Sequence, residues 1–356
     1  MTFSCYLSVR FSLSHHQNGK FRTTVNGGGK YNMTVTKRDQ LKLPKRKNPV
    51  VQLSPEVEIY LPTYHFLVNE FEHARRHELG IIRDDHEEFI HQYRVALRRI
   101  RALINQLTPL FHRQEKVVLK KSLRQLMQHT NLMRDLDVFL LHMEQYFSLL
   151  EHQHHKGLTR FFDDIQSQRR KSLKYLKEWL KSEEYKSTCK QVLTQLDNMR
   201  DNPTAEGQLA CKTTAHGFLW HYFKQIESQC HNIDANSDDA IIHQLRIDCK
   251  KFRYLLEYFT PILSLKETKQ QVLQLKVLQD SLGSFNDSSV QLAFFKHYLT
   301  EHGQQSGRYK AIEELIDIYG DYHLKAKQLT VDQLIQFRQP KSIDLFYTLY
   351  QEPSTW

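Results

Sequence analysis

The sequence predicts an all-α protein built from two related helical bundles. Three observations carry that expectation. From about Pro55 onward apolar residues recur at three- and four-residue spacing, and no alternating strand pattern occurs. Between Thr63 and Gln339, prolines stand only at 109, 203 and 261. The segment from His91 to Pro109 also returns as His243 to Pro261, at a constant offset of 152 residues.

Taken in order, the pattern predicts helices over roughly 64–79, 86–108, 114–130, 135–150, 158–182, 185–200, 208–231, 238–259, 267–282, 288–302 and 308–328, with two short helices after them. Asp85 with Glu88 reads as a cap for the first repeated helix, and Ser237 or Asn236 as a cap for the second. Both helices then meet a Thr-Pro pair, Thr108-Pro109 and Thr260-Pro261, where proline disfavours helix in the residue before it.

The offset holds in one register along both halves. His91, Gln92 and Arg94 match His243, Gln244 and Arg246; Arg98, Arg99 and Arg101 match Lys250, Lys251 and Arg253. Further on, Arg124 matches Lys276, Asp135 matches Asp287 and Val138 matches Val290. The period is far longer than the ~20–50 residues of a solenoid repeat. Two bundles of several helices each are expected instead, over about 56–200 and 207–350 within a helical region of 56–350.

Residues 1–50 differ. They hold Gly27-Gly28-Gly29 and the basic run KRDQLKLPKRK, with little periodicity, and read as a flexible basic tail. GGGK at Gly27 to Lys30 lacks both the earlier glycine and the following Ser or Thr of a phosphate loop. No signal peptide and no stretch of the ~18–20 apolar residues needed to span a bilayer is read. The five cysteines form no CxxC pair, which argues against a disulfide framework or zinc site and for a reducing cytosol.

The formal net charge of +10 points to anionic partners without choosing among them. The repeated helix is more specific. At ~100° per residue, Arg94, Arg98, Arg101 and Asn105 lie within roughly 80° of His91 on one side. Tyr93, Leu97, Ile100, Leu103, Ile104 and Leu107 take the opposite side. In the second copy His243, Arg246, Lys250 and Arg253 form the stripe, and Leu245, Cys249, Phe252, Leu255, Leu256 and Phe259 oppose it. Arg99 and Lys251 lie at a flank. Like charges at this spacing repel, and neither stripe meets an acid before Glu257. Such a stripe suits a ligand with closely spaced negative charges; arginine offers a fork for phosphate oxygens and lysine a point charge. A solvated face, or pairing with acids of neighbouring helices, is the plainer alternative. Glu87 and Asp239, four residues before His91 and His243, are placed to orient each imidazole and favour its charged form. A donor role for both histidines, with binding that weakens above neutral pH, is therefore expected.

HQYRVALRRIR followed by RDLDV at Arg134 to Val138 resembles the first half of a CHAD domain, the conserved histidine α-helical domain. HQLRIDCKKFRYLLE followed by LKVLQDSLGSFND at Leu275 to Asp287, with its Asn286-Asp287 pair, resembles the second half. The resemblance implies two pseudo-symmetric helical bundles with a basic cleft or pore between them, and binding of inorganic polyphosphate rather than catalysis. The positions it carries over are His91, Arg94, Arg98, Arg99 and Arg101, then His243, Arg246, Lys250, Lys251 and Arg253, with Arg124 and Lys276 adding to the basic surface. His129-Thr130-Asn131 departs from the family's turn. Glu56 to Tyr60 echoes the ExExK motif of a triphosphate-processing barrel, but tyrosine replaces the lysine and no β-rich region follows. A stand-alone domain without cofactor, metal or membrane span is expected, in the cytoplasm or on polyphosphate granules.

Two other functions fit less well. Single-strand nucleic-acid binders interleave aromatics with cations, whereas Tyr93, Phe252 and Phe259 face away from the stripe. A metal-dependent phosphohydrolase could draw on Asp84, Asp85, Glu87 or Asp239 with His91 or His243, yet no HExxH, paired-acid or nucleophile motif is present. The run His152, His154, His155 reads as an exposed turn.

Overall fold

A computed structural model describes residues 41–47, 50–263, 265–302 and 306–350. Among these every regular element is a helix; one isolated antiparallel bridge joins Glu58 to Ala210. The α-helices are α1 (Tyr60–Arg75), α2 (Glu78–Arg83), α3 (Glu87–Gln106), α4 (Arg113–Gln128), α5 (Asn131–Leu141), α6 (Met143–Leu149), α7 (His152–Lys181), α8 (Glu183–Met199), α9 (Cys211–His231), α10 (Asp239–Phe259), α11 (Leu265–Thr300), α12 (Gly307–Phe337) and α13 (Pro340–Tyr350).

Element bounds keep the sequence offset. Glu87 and Asp239 open α3 and α10, each helix runs into a 3-10 turn that starts at Thr108 or Thr260, and α4 and α11 start at 113 and 265. Helix neighbours recur as well. α1 packs on α3 as α9 does on α10, α3 on α4 as α10 on α11, and α4 on α8 as α11 on α13. Between the halves, α3 meets α10 and α7 meets α12, so each helix touches its own counterpart. The apolar faces expected on α3 and α10 are all buried, from Tyr93 to Leu107 and from Leu245 to Phe259. The core does not divide by halves, however. One large cluster joins Phe66, Leu97 and Leu123 to Phe252, Leu278 and Phe346. A second joins Phe139, Phe161 and Phe162 to Phe295, Ile312 and Tyr319.

Several local expectations are corrected. The cap of α3 is His86, whose Nδ1 accepts from the Glu88 amide at 3.0 Å. Asp85 instead takes the Leu41 amide at 3.2 Å and the Arg83 guanidinium at 2.9 Å. Asp238 occupies the cap position of α10 without a side-chain bond, while Ser237 turns to Asp234. His152, His154 and His155 belong to the first turn of α7. The predicted break near 283 does not occur. Ser281 and Ser284 donate to carbonyls of their own helix, Leu278 and Asp280, and Leu282 and Phe285 are buried, so α11 runs through. In the first half the matching stretch does break. Thr130 donates to the Met127 carbonyl at 2.7 Å, and His129 stacks on Trp179 with centroids 4.2 Å apart. Residues 41–47 are also not part of a loose tail. Leu41 rests against the large core and Arg46 pairs with Glu70, so the bundle organises this segment. Residues 1–40, with Gly27 to Lys30 and Cys5, lie outside the described residues. The four described cysteines are free and buried.

Candidate anion-binding cavity

A cavity of about 570 Å³ opens where α3, α10 and α11 meet. α3 lends His91, Gln92, Val95, Arg98 and Arg99; α10 lends Arg246, Lys250, Arg253, Tyr254 and Glu257; α11 lends Gln279, Asp280, Gly283, Ser284 and Asp287; Arg46 comes from the segment before α1. Seven lining side chains are permanent or potential cations and three are acids, so the wall is cationic on balance.

Six residues read from the sequence meet here: His91, Arg98, Arg99, Arg246, Lys250 and Arg253. The other six do not line it. Arg94 is buried and donates to the Met127 carbonyl at 3.1 Å, Thr130 Oγ1 at 2.8 Å and Asn131 Oδ1 at 2.5 Å. Arg101 reaches Met127 Sδ at 3.2 Å. Lys251 pairs with Asp248 at 2.7 Å. Arg124 and Lys276 are exposed outside the cavity. His243 sits behind it, with Nδ1 2.7 Å from Asn286 Oδ1.

The two repeated helices therefore use different faces. α10 presents Arg246, Lys250 and Arg253 of its expected stripe, with Glu257 beyond them, but not His243. α3 presents His91, Val95, Arg98 and Arg99, a face turned by roughly 80° toward the flank at ~100° per residue. The cause lies in the helix behind each stripe. At Thr130 and Asn131 the first half has acceptors that draw Arg94 inward. The matching positions are Leu282 and Gly283, which offer no side-chain acceptor, so Arg246 stays on the wall beside Asp287. A Cβ added to Gly283 would meet nothing within 4 Å, so the wall is open there.

Acids do reach the arginines. Buried Glu70 holds Arg46 at 3.1 Å and Arg99 at 3.4 Å; Glu257 holds Arg99 at 3.6 Å and Arg253 at 3.5 Å. The alternative of arginines paired with neighbouring acids thus describes Arg99. Arg99 also lies 5.4 Å from the Phe66 ring centroid. Lys250 stands among cations, with Asp287 as the facing acid. Burial first, then Arg246, Arg98 and Arg253, push its ammonium down to about 6, against the opposing pull of Asp287. Burial pushes the Asp287 carboxyl up to about 6, opposed by Arg246, Asn286 and Lys250. His243 departs from the expected charged form. Its acid, Asp239, is engaged by His323 Nε2 at 2.7 Å and Lys327 at 3.3 Å, and burial lowers the imidazole, with Arg246 and Lys250 adding to the effect.

Sequence reasoning missed Arg46, Tyr254, Gln279, Gly283, Ser284 and the inward role of Asp287. Gly283 carried a readable signal, being a helix-interior glycine opposite Asn131 at the repeat offset. Arg46 carried none beyond its charge. The acids considered as metal ligands have other neighbours: Asp84 binds Arg169 at 2.7 Å, Asp85 binds Arg83, Asp239 binds His323, and Glu87 lies 3.5 Å from His86 Nδ1. Among the described residues no helix is long and apolar enough to cross a membrane.

Solved structures share this architecture. The crystal structure of the CHAD domain from the plant Ricinus communis is 19% identical, with a TM-score of 0.61 over 84% of this chain and 93% of that one. PptA from Streptomyces chartreusis is 14% identical, with a TM-score of 0.59 over 80% of this chain and all of that one, 100%. No curated protein matches the chain. The CHAD domain family model matches residues 66–296, which include both repeated helices and every cavity-lining residue of α3, α10 and α11, and the chain therefore belongs to the CHAD domain family.

Proposed function

We propose that the cavity binds inorganic polyphosphate without turning it over. The observation that carries this reading is the crowding of Arg98, Arg246, Lys250 and Arg253 around one open volume. Cations forced together this way repel, and a polyanion removes the repulsion while replacing lost hydration. Arginine forks grip successive phosphates and Lys250 supplies a compact charge. Turnover would need a positioned metal or nucleophile. Asp84, Asp85 and Asp239, the acids that could have held such a metal, lie off the cavity wall and serve Arg169, Arg83 and His323 instead. A reducing cytosol suits the free cysteines, and polyphosphate granules are where such a protein would gather.

Nucleic acid is the second reading, since Tyr254 stands on the wall with the Arg253 guanidinium 5.6 Å from its ring centroid. A single half-buried ring offers a poor stacking platform for a base series. A gel shift with long polyphosphate, competed with DNA at equal phosphate concentration, separates the two readings. Retention of polyphosphate supports the proposal, and displacement by DNA overturns it. Phosphate release with Mg²⁺ or Mn²⁺ present would overturn the non-catalytic part.

A further inference from the structure

We propose that the segment 41–47 is part of the anion site and carries a long ligand out of the cavity. This deepens the polyphosphate reading and rests on it. The segment precedes the residues matched by the family model and belongs to neither repeat. It is nonetheless fixed in place. The Leu41 amide donates to Asp85, Asn69 donates to the Val50 carbonyl at 3.2 Å, and Leu41, Val50 and Val51 pack on the large core.

This anchoring delivers Arg46 to the cavity wall. Its Nη1 is held by Glu70, while its Nη2 is buried with no acceptor among the described residues. A buried guanidinium nitrogen without a partner is costly, and a ligand oxygen would satisfy it. Arg46 also lines a smaller recess that continues past the cavity along Lys47, Glu70 and Arg76. Beyond the cavity wall, Lys42, Lys45 and Lys47 are exposed on the same seven residues. Cations thus run from Lys250 and Arg99 inside, through Arg46, to lysines at the surface. A short phosphate chain would need only the inner set, whereas a long one would follow the lysines.

The test uses the full chain and two ligands, tetraphosphate and a chain of hundreds of phosphates. Binding is measured against salt for the wild type and for the triple variant Lys42→Gln, Lys45→Gln, Lys47→Gln. These lysines are exposed, so the fold is unaffected. The expected result is an unchanged tetraphosphate affinity and, for the long chain, a log–log salt slope shallower by about two, from three lost phosphate contacts at ~0.7 each. Arg46→Met, made with Glu70→Gln so that no carboxylate is stranded, should weaken both ligands by roughly tenfold. A triple variant with the wild-type slope on the long chain overturns the inference and leaves the cavity reading standing. A wild type that binds neither ligand overturns both.

Discussion

Lys250 makes the proposed function a proton-coupled one. In the free protein burial and three arginines hold its ammonium down to about 6, so the group is mostly neutral at pH 7.5. A polyphosphate in the cavity reverses the second cause and offsets the first, which moves the lysine back toward its ordinary range near ~10.4. The sign follows directly. A group whose bound pKa exceeds its free pKa takes up a proton on binding, so affinity is full below about 6 and falls as pH rises toward the bound value. One coupled proton weakens binding about tenfold per pH unit, or ~1.4 kcal/mol. Between pH 6.5 and 8.5 the loss is therefore up to roughly a hundredfold. Asp287, held up to about 6, adds proton uptake at the acid end of that window. Titration calorimetry at pH 7.5, in two buffers of different ionisation enthalpy, reads the uptake directly. A long chain serves best, because its internal phosphates do not titrate in this range. Lys250→Arg keeps a charge at all these pH values and should flatten the profile. A wild type with no proton uptake and a flat affinity from pH 6.5 to 8.5 would refute the reasoning.

Three further outcomes follow from the geometry. Arg94→Ala should destabilise the fold by about 1–3 kcal/mol, because it removes three hydrogen bonds to buried acceptors at Met127, Thr130 and Asn131, and should barely change polyphosphate affinity. Arg253→Ala should do the reverse, and urea melts beside binding curves will separate the two. Gly283→Ala should raise stability by ~1 kcal/mol, since its Cβ meets nothing, whereas Gly283→Asn should draw Arg246 off the wall and weaken binding; equal affinities for the two variants would contradict this. Gly157→Ala would place a Cβ 1.9 Å from the Gly307 carbonyl oxygen where α7 crosses α12. Overpacking there should lower the urea midpoint by the equivalent of about 1–3 kcal/mol, and an unchanged midpoint would show that the crossing yields.

The all-α class was legible because apolar spacing and sparse proline act locally, residue by residue. Both repeated helices and their Thr-Pro ends were legible for the same reason. The cavity was only half legible. A helical wheel shows which side chains share a face, and α10 follows it from Arg246 to Glu257. It cannot show which way a face turns once another helix supplies acceptors. Thr130 and Asn131 take Arg94 away from the cavity, while Leu282 and Gly283 leave Arg246 on it. Pairs far apart in sequence escaped entirely, among them Arg46 with Glu70 and Asp239 with His323. Asp239 is the instructive case. Its spacing from His243 suggested one bond, and a helix from the far end of the chain took it instead.

The most direct measurement is the polyphosphate affinity of the double variant Arg98→Glu, Lys250→Glu at fixed salt and pH 7. Both residues line the cavity from opposite helices, α3 and α10. The account predicts that binding is abolished while helical circular dichroism is retained. A folded double variant that binds polyphosphate as tightly as the wild type would contradict it, and would move the site away from this cavity.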